Sequence, residues 1–175
     1  MATILENLEL EIAHFDHFKA HLPGYEQLCP LTLEKLLRLG VLQVSTAFEQ
    51  VLARLGGHEL VSMDCGDLYR KSDKAPYSDA KLSCVRTYGY GKCYAAPVTN
   101  IFNKTGALRV QVYERKQGNF YYFVIPRKAY MHIPRTSNIE ISFLLDGTPR
   151  RIPSRKVNVN FWKYEVENLQ ELAAK

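Results

Sequence analysis

Hydrophobic residues in the first 57 positions recur at spacings of three and four, the pattern of amphipathic helices. The pattern predicts helices over about 4–22, 31–39 and 45–55. Gly56-Gly57 ends the third helix, because glycine readily adopts the left-handed conformation that closes a helix. The buried face of this helix is expected to hold Phe48, Val51, Leu52 and Leu55.

After residue 57 the pattern changes to the alternation and short apolar runs of β-strands. Strands are predicted at 58–64, 66–70, 79–88, 107–116, 119–126, 139–145 and 157–165. The segment 116–119 (KQGN) between two of them is typical of a hairpin turn. The fold class is therefore α+β, with N-terminal helices followed by a central mixed β-sheet. We expect one domain over 1–175: a helical N-terminal segment over 1–57, a sheet-rich core over 58–165, and a C-terminal helix in 166–175.

The net charge of +5 in 175 residues conceals a strong asymmetry. Residues 1–60 hold 4 Lys or Arg and 8 Asp or Glu, whereas residues 101–163 hold 12 and 3. A concentrated basic field attracts a polyanion, and nucleic acid is the common one. The alternative is that the basic surface only maintains solubility. No apolar run approaches the roughly 20 residues of a membrane span, and no signal-peptide pattern or CxxC pair occurs. We therefore expect an intracellular (cytoplasmic) protein with no membrane partner.

Candidate chemistry is found in the segment DAKLSCVRTY. Asp79 and Lys81 lie on the same face of a strand, because side chains alternate with period two. A carboxylate beside an ammonium is compatible with a simple ion pair or with half of a Mg²⁺-dependent hydrolytic site. Such a site needs a second carboxylate, and Asp67 lies twelve residues upstream; Asp64 and Asp73 are competitors. Glu49 on the preceding helix offers a third, although Thr46 and Glu49 also have the spacing of a capping box.

The order helix with Glu49, then Asp67, then Asp79-x-Lys81 resembles the PD-(D/E)XK nuclease superfamily, over roughly residues 45–90. The resemblance implies a restriction-endonuclease-like core. It assigns Asp67 and Asp79 as the metal-binding acids, Lys81 as the catalytic lysine and Glu49 as an auxiliary helical glutamate. One departure is that Gly66, not proline, precedes Asp67. A rival motif, Glu114-Arg-Lys116, lies at a predicted hairpin end and is the second choice for the catalytic pair.

A further set of polar residues is predicted to contact DNA. Arg109 and Gln111 share one face of the predicted strand 107–116 with Arg115, and Arg and Gln read guanine and adenine in the major groove. Leu108, Val110 and Val112 are expected to face the core. The alternative for the polar face is ordinary solvation. The remaining candidates are Lys92, Asn103, Lys104, Arg150, Arg151 and Arg155.

These features together predict a Mg²⁺-dependent DNA endonuclease, expected to be sequence-specific and of restriction or homing type. One chain carries one such site, so cutting both strands of double-stranded DNA implies a homodimer or higher symmetric oligomer. The alternative from another class is a non-catalytic nucleic-acid-binding protein in which Asp79 and Lys81 form only an ion pair. A third is a general interaction module whose basic charge serves solubility.

Overall fold

The computed structural model describes residues 44–97, 104–133, 139–154 and 157–175, with side chains from residue 48 onward. Helix α1 precedes a series of strands, and a short helix ends the chain. In chain order the elements are α1 (Val44–Gly56), β1 (Glu59–Met63), β2 (Gly66–Tyr69), β3 (Tyr77–Cys84), β4 (Arg86–Tyr88), a 3₁₀ turn (Gly89–Gly91), β5 (Lys92–Ala95), β6 (Leu108–Glu114), β7 (Asn119–Ile125), α2 (Arg127–Tyr130), β8 (Ile141–Phe143), a 3₁₀ turn (Phe161–Tyr164), β9 (Glu165–Val166) and α3 (Leu169–Ala174). The predicted helices before residue 44 lie outside the described residues.

The strands form a six-stranded mixed sheet and a smaller three-stranded sheet. The large sheet has the order β1-β2-β3-β6-β7-β9, and the small sheet has the order β4-β5-β8. Among the described residues, β3 and β6 pair in parallel and the other neighbours pair antiparallel. The parallel register places Asp79 beside Leu108 and Lys81 beside Val110. The α+β class with a mixed central sheet is therefore confirmed.

Two hydrophobic clusters cover opposite faces of the large sheet. One joins α1 and α3 to Leu68 and Ala80, and Phe48, Val51 and Leu52 of α1 are completely buried in it. The other joins the even-numbered residues of β6 to β7, the small sheet and Trp162. Because both faces of β6 are covered, its side chains are buried at nearly every position. The predicted core roles of Leu108, Val110 and Val112 are confirmed.

The strand predictions differ from the structure mainly where the chain bends. The region 79–88 is divided into β3 and β4, and the segment 157–165 is an irregular stretch followed by a 3₁₀ turn rather than a strand. The sequence pattern does not predict strand β5, because glycines 89 and 91 make the preceding segment resemble a turn. The hairpin between β6 and β7 is confirmed, with Gly118 at a φ of 72°. No helix in the described residues is long and apolar enough to cross a membrane.

Candidate active site

Asp67, Asp79 and Lys81 meet on one face of the large sheet. Antiparallel pairing of β2 with β3 and alternation along β3 bring the three side chains together. The Lys81 Nζ lies 2.9 Å from Asp79 Oδ2 and 3.6 Å from Asp67 Oδ2. Asp67 Oδ2 also accepts the Ala80 N–H at 3.3 Å. Asp79 is only 1% exposed, whereas Lys81 and Asp67 reach solvent.

Lys104 belongs to the same cluster, although its position in the sequence predicts only a contact with DNA. Its Nζ lies 2.7 Å from Asp79 Oδ1, so each oxygen of this carboxylate faces one ammonium group. Lys104 reaches Asp79 because the loop before β6 is fastened to the sheet: the Asp79 N–H donates to the Ala107 carbonyl at 3.0 Å. Gly106 permits this approach, since a Cβ there would lie 1.6 Å from the Tyr77 carbonyl oxygen. No local sequence signal reveals this neighbour, because it depends on the parallel pairing of β3 and β6.

The cluster separates the pKa values of its two aspartates. Burial raises the pKa of Asp67, and its hydrogen bond to Asp79 and the charge of Asp79 raise it further. Burial also acts to raise the pKa of Asp79, but hydrogen bonds from Asp67, Lys104 and Lys81 outweigh it and lower the pKa. Burial opposes the charge of Lys81, yet the hydrogen bond and charge of Asp79 prevail and raise its pKa. Lys81 is therefore an ammonium ion at neutral pH and is not suited to accept a proton.

Glu49 projects from α1 into the electrostatic field of this cluster. Burial and the charges of Asp67 and Asp79 raise its pKa from 4.5 to about 7, against the opposing charges of Lys81 and Lys104. A carboxyl group with such a pKa exchanges a proton readily near neutral pH, which suits a general base. Thr46 lies inside α1 rather than before it, so the capping-box alternative for Glu49 does not match the helix boundary.

Asp67 and Asp79 are the residues that would hold the Mg²⁺ that the sequence predicts. Mg²⁺ prefers hard oxygen ligands and is usually bound by one or two carboxylates, with waters and substrate phosphates completing its octahedron. Asp67 and Asp79 supply two adjacent carboxyl groups, with Lys81 Nζ 3.6 Å from the first and 2.9 Å from the second. No group of three or more His, Cys, Asp or Glu side chains within the described ranges forms a ready metal cage. The protein contribution therefore corresponds to two carboxylates, with Glu49 adding negative charge nearby.

The rival pair Glu114 and Lys116 has a structural role in the β6–β7 hairpin. Glu114 is 2% exposed and accepts the backbone N–H groups of Lys116 and Gln117 at 2.7 and 2.8 Å. Gly147 packs against this carboxylate, and Lys116 Nζ bonds the Leu145 carbonyl. Leu108 is the residue of β6 that pairs with Asp79, and Glu114 lies six residues further along the same strand. Six residues of a β-strand span roughly 20 Å. The structure thus does not bring the rival pair to the Asp79 cluster.

The prediction that Arg109 and Gln111 face DNA is wrong in this fold, because both side chains are only 1% exposed. Helix α3 packs against the odd-numbered face of β6, which alternation alone assigns to solvent. Arg109 donates to the Leu172 carbonyl at 2.5 Å and to Ser78 Oγ at 3.2 Å. Burial, with the charge of Arg70, lowers its pKa to about 10. Arg109 is thus an internal anchor for α3.

The other predicted DNA contacts are dispersed over the surface. Lys92 and Arg150 are exposed beside the small sheet, and Arg115 is exposed at the β6–β7 turn. Arg151 is exposed but engaged, since its guanidinium pairs with Glu165 and lies 4.6 Å from the centre of the Trp162 ring. Asn103 and Arg155 lie outside the described residues. Asp73, a competitor for the site, instead pairs with Arg70 at 2.8 Å.

Comparison with models of known protein families and with curated proteins finds no match to this chain.

The raised pKa of Glu49 predicts a pH-dependent contribution to stability. A carboxyl group whose pKa is higher in the folded than in the unfolded state stabilises the fold below the unfolded value, about 4.5, and loses that contribution as pH rises through about 7. Glu49→Gln should therefore gain Tm relative to the parent between pH 5 and pH 8. We expect about 2–4 °C, roughly 1 kcal/mol in a chain of this size after solvent screening. Melts in a metal-free buffer measure it, and a constant difference across this range contradicts it.

Proposed function

We propose that this protein is a Mg²⁺-dependent DNA endonuclease with a restriction-endonuclease-like core. The observation that supports it most strongly is the meeting of Asp67, Asp79 and Lys81 on one sheet face, with Asp79–Lys81 and Lys81–Asp67 separations of 2.9 and 3.6 Å. Two carboxylates and one ammonium, drawn from two strands, form the minimal group that the resemblance to PD-(D/E)XK nucleases implies. The nearby Glu49 and the mixed sheet agree with the same arrangement.

The residues divide the chemistry of phosphodiester hydrolysis among them. Asp67 and Asp79 would hold Mg²⁺, which polarises the phosphate and lowers the pKa of bound water. Lys81 remains charged, so it orients the attacking water or neutralises negative charge on the phosphate. Glu49, with a pKa of about 7, is suited to accept the proton that this water loses. Lys104 holds the second oxygen of Asp79 and fixes the orientation of the carboxylate.

The wider proposal concerns the partner. Exposed Lys92, Arg115 and Arg150 supply phosphate contacts that carry little sequence information. Sequence-specific cutting of both strands of double-stranded DNA, in a restriction or homing role inside the cell, requires two copies of the site. We therefore include a homodimer or higher symmetric oligomer in the proposal.

A second candidate is a non-catalytic nucleic-acid-binding protein. One observation favours it: both oxygens of Asp79 already face ammonium groups, Lys81 at 2.9 Å and Lys104 at 2.7 Å. Such a cluster is electrostatically satisfied without a metal ion. In this alternative the carboxylates serve to hold β2, β3 and the loop at Lys104 together, and DNA is bound elsewhere on the basic surface.

Lys81→Ala separates the two candidates. In the nuclease it should slow cleavage by about 10²–10⁴-fold, the range for a group that stabilises charge or positions a nucleophile. The Tm should change little, because Lys81 is partly exposed and Lys104 still pairs with Asp79. Lys81→Arg should restore little activity, since a planar guanidinium does not place its charge where a compact ammonium does. The measurement is single-turnover cleavage of supercoiled plasmid and phage DNA with and without Mg²⁺.

Lys71→Ala is the matched control, because Lys71 is an exposed lysine in the turn after β2. It should cleave at the parental rate. Binding of DNA with no Mg²⁺-dependent cleavage by the parent protein would favour the non-catalytic candidate. Cleavage by Lys81→Ala within a few-fold of the parent would remove Lys81 from the reaction.

A further inference from the structure

The small sheet has one face in the core and one face toward solvent. Ala95, Ile141 and Phe143 of its inner face are buried against the large sheet. The register of β4, β5 and β8 pairs Arg86 with Tyr94, Tyr88 with Lys92, and Tyr94 with Ser142. Paired residues lie on the same face of a sheet, so these side chains share the outer face. Two tyrosines and two cations therefore occupy a surface formed by only three short strands.

The tyrosines on this face form a stacked aromatic cluster, called the platform below. The rings of Tyr88 and Tyr94 are stacked, with centres 4.1 Å apart and planes inclined by 10°. Tyr88 remains 38% exposed. Tyr90, at the tip of the hairpin, is completely exposed and has a φ of 64°, in the left-handed region that a tyrosine rarely adopts. Backbone strain of this kind concentrates at functional positions. A large ring is thus held in solvent next to two stacked ones.

Cations and a cavity border the platform. Arg86 and Lys92 are exposed on the outer face. A cavity of about 320 Å³ opens between β5, β8 and the segment 150–153, where Arg150 and Lys92 face one carboxylate, Glu140. This volume is at the lower end of the range for small-ligand sites and accommodates one planar ring system. Exposed aromatic rings flanked by Lys and Arg are the combination that binds single-stranded nucleic acid, because rings stack on bases while cations track the backbone.

We propose that the outer face of the β4–β5–β8 sheet binds a single-stranded DNA segment, with bases stacked on Tyr88 and Tyr90 and phosphates held by Arg86, Lys92 and Arg150. The choice of DNA rests on the proposed nuclease function. Arg86 follows Lys81 by five residues, which separates their Cα atoms by at most about 18 Å. A strand that lies on the platform can therefore extend to the Asp79 cluster. The preferred substrate is a duplex with an unpaired segment next to the scissile bond.

The test compares two fluorescent DNA duplexes that differ only in a single-stranded thymine overhang. Anisotropy titrations in EDTA exclude cleavage, and the ratio of the two affinities is the readout. The parent should bind the overhang duplex more tightly, and Tyr88→Ala should reduce that preference by about 5- to 150-fold, the range for loss of one stacked base. Tyr88→Phe retains the ring and should keep the preference. Because the ratio is internal to each variant, a general loss of folded protein cancels.

Two cation variants complete the test. Lys92→Gln should lower the salt dependence of overhang binding by about one phosphate contact, whereas Lys128→Gln, an exposed lysine on α2, should not. The proposal is overturned if the parent shows no preference for the overhang, if Tyr88→Ala keeps it, or if an RNA overhang binds more tightly. Dissociation of an oligomer by Tyr88→Ala, without change in the preference, would assign the face to a second copy of the chain and also overturn it.

The cleavage and overhang-binding assays distinguish failure of the nuclease proposal from failure of the proposal for the platform. Overhang preference with no Mg²⁺-dependent cleavage supports the platform and contradicts the nuclease. Cleavage of plasmid with no overhang preference supports the nuclease and contradicts the platform.

Discussion

Asp79→Asn is expected to abolish Mg²⁺-dependent cleavage while leaving DNA binding intact or stronger. Asp79 is the most buried acid of the cluster and faces Lys81, Lys104 and Asp67 at once. An amide oxygen lacks the negative charge with which a carboxylate holds a divalent cation. Loss of several kcal/mol of charge stabilisation corresponds to at least about 10³-fold in rate. Binding persists because the substitution removes negative charge next to the phosphate and leaves both ammonium groups.

The measurement is single-turnover cleavage beside anisotropy binding in EDTA, for Asp79→Asn and for Asp67→Asn, which should behave alike. Asp64→Asn is the matched control: Asp64 is an exposed aspartate in the turn between β1 and β2, and its variant should cleave normally. If Asp79→Asn retains near-parental cleavage, the cluster is a structural ion-pair network. A Tm below that of the parent, with binding and cleavage retained, would give the same conclusion.

Arg109→Ala is expected to destabilise the fold by about 2–4 kcal/mol, one of the largest effects of any single substitution. Its side chain is fully enclosed, so truncation leaves a cavity and removes two hydrogen-bond donors. One of these donors bonds the Leu172 carbonyl near the end of α3, where helical carbonyls lack intrahelical partners. His58 Nε2 bonds the next carbonyl, of Ala173, at 3.0 Å, and Arg70 bonds that of Ala174 at 2.9 Å.

Three basic side chains thus hydrogen-bond the last carbonyls of α3, and the positive charges of Arg70 and Arg109 also complement the helix dipole. Urea unfolding of Arg109→Ala measures the loss of stability. Arg115→Ala is the control, because this arginine follows β6 directly and is exposed; its effect should stay within about 0.5 kcal/mol. If Arg109→Ala keeps parental stability but loses affinity for one DNA sequence over random DNA, Arg109 reads bases after all. Because Arg109 is buried in the fold, we expect the loss of stability and not the loss of sequence preference.

Local periodicity was sufficient to identify α1, a hairpin turn (predicted at 116–119 and observed at 115–118) and the shared face of Asp79 and Lys81. Each depends on neighbours within about ten residues, where 3.6- and 2-residue periods and turn residues act directly. The prediction that Arg109 and Gln111 contact DNA bases was wrong for a related reason. Alternation separates the two faces of a strand, but it does not state whether the polar face meets water or, as in β6, another element such as helix α3.

Local patterns are enough to predict most of the elements, the α+β class and the candidate residues of β3 with Asp67. The parallel pairing of β3 and β6, and with it the approach of Lys104 to Asp79, depends on the tertiary structure. Tertiary packing also buries Glu114, whose carboxylate accepts backbone N–H groups of the β6–β7 hairpin, and it places Arg109 against α3. Pairing of strands about 25 residues apart and docking of a helix about 60 residues away are set by burial of apolar surface across the whole chain, which no local pattern encodes.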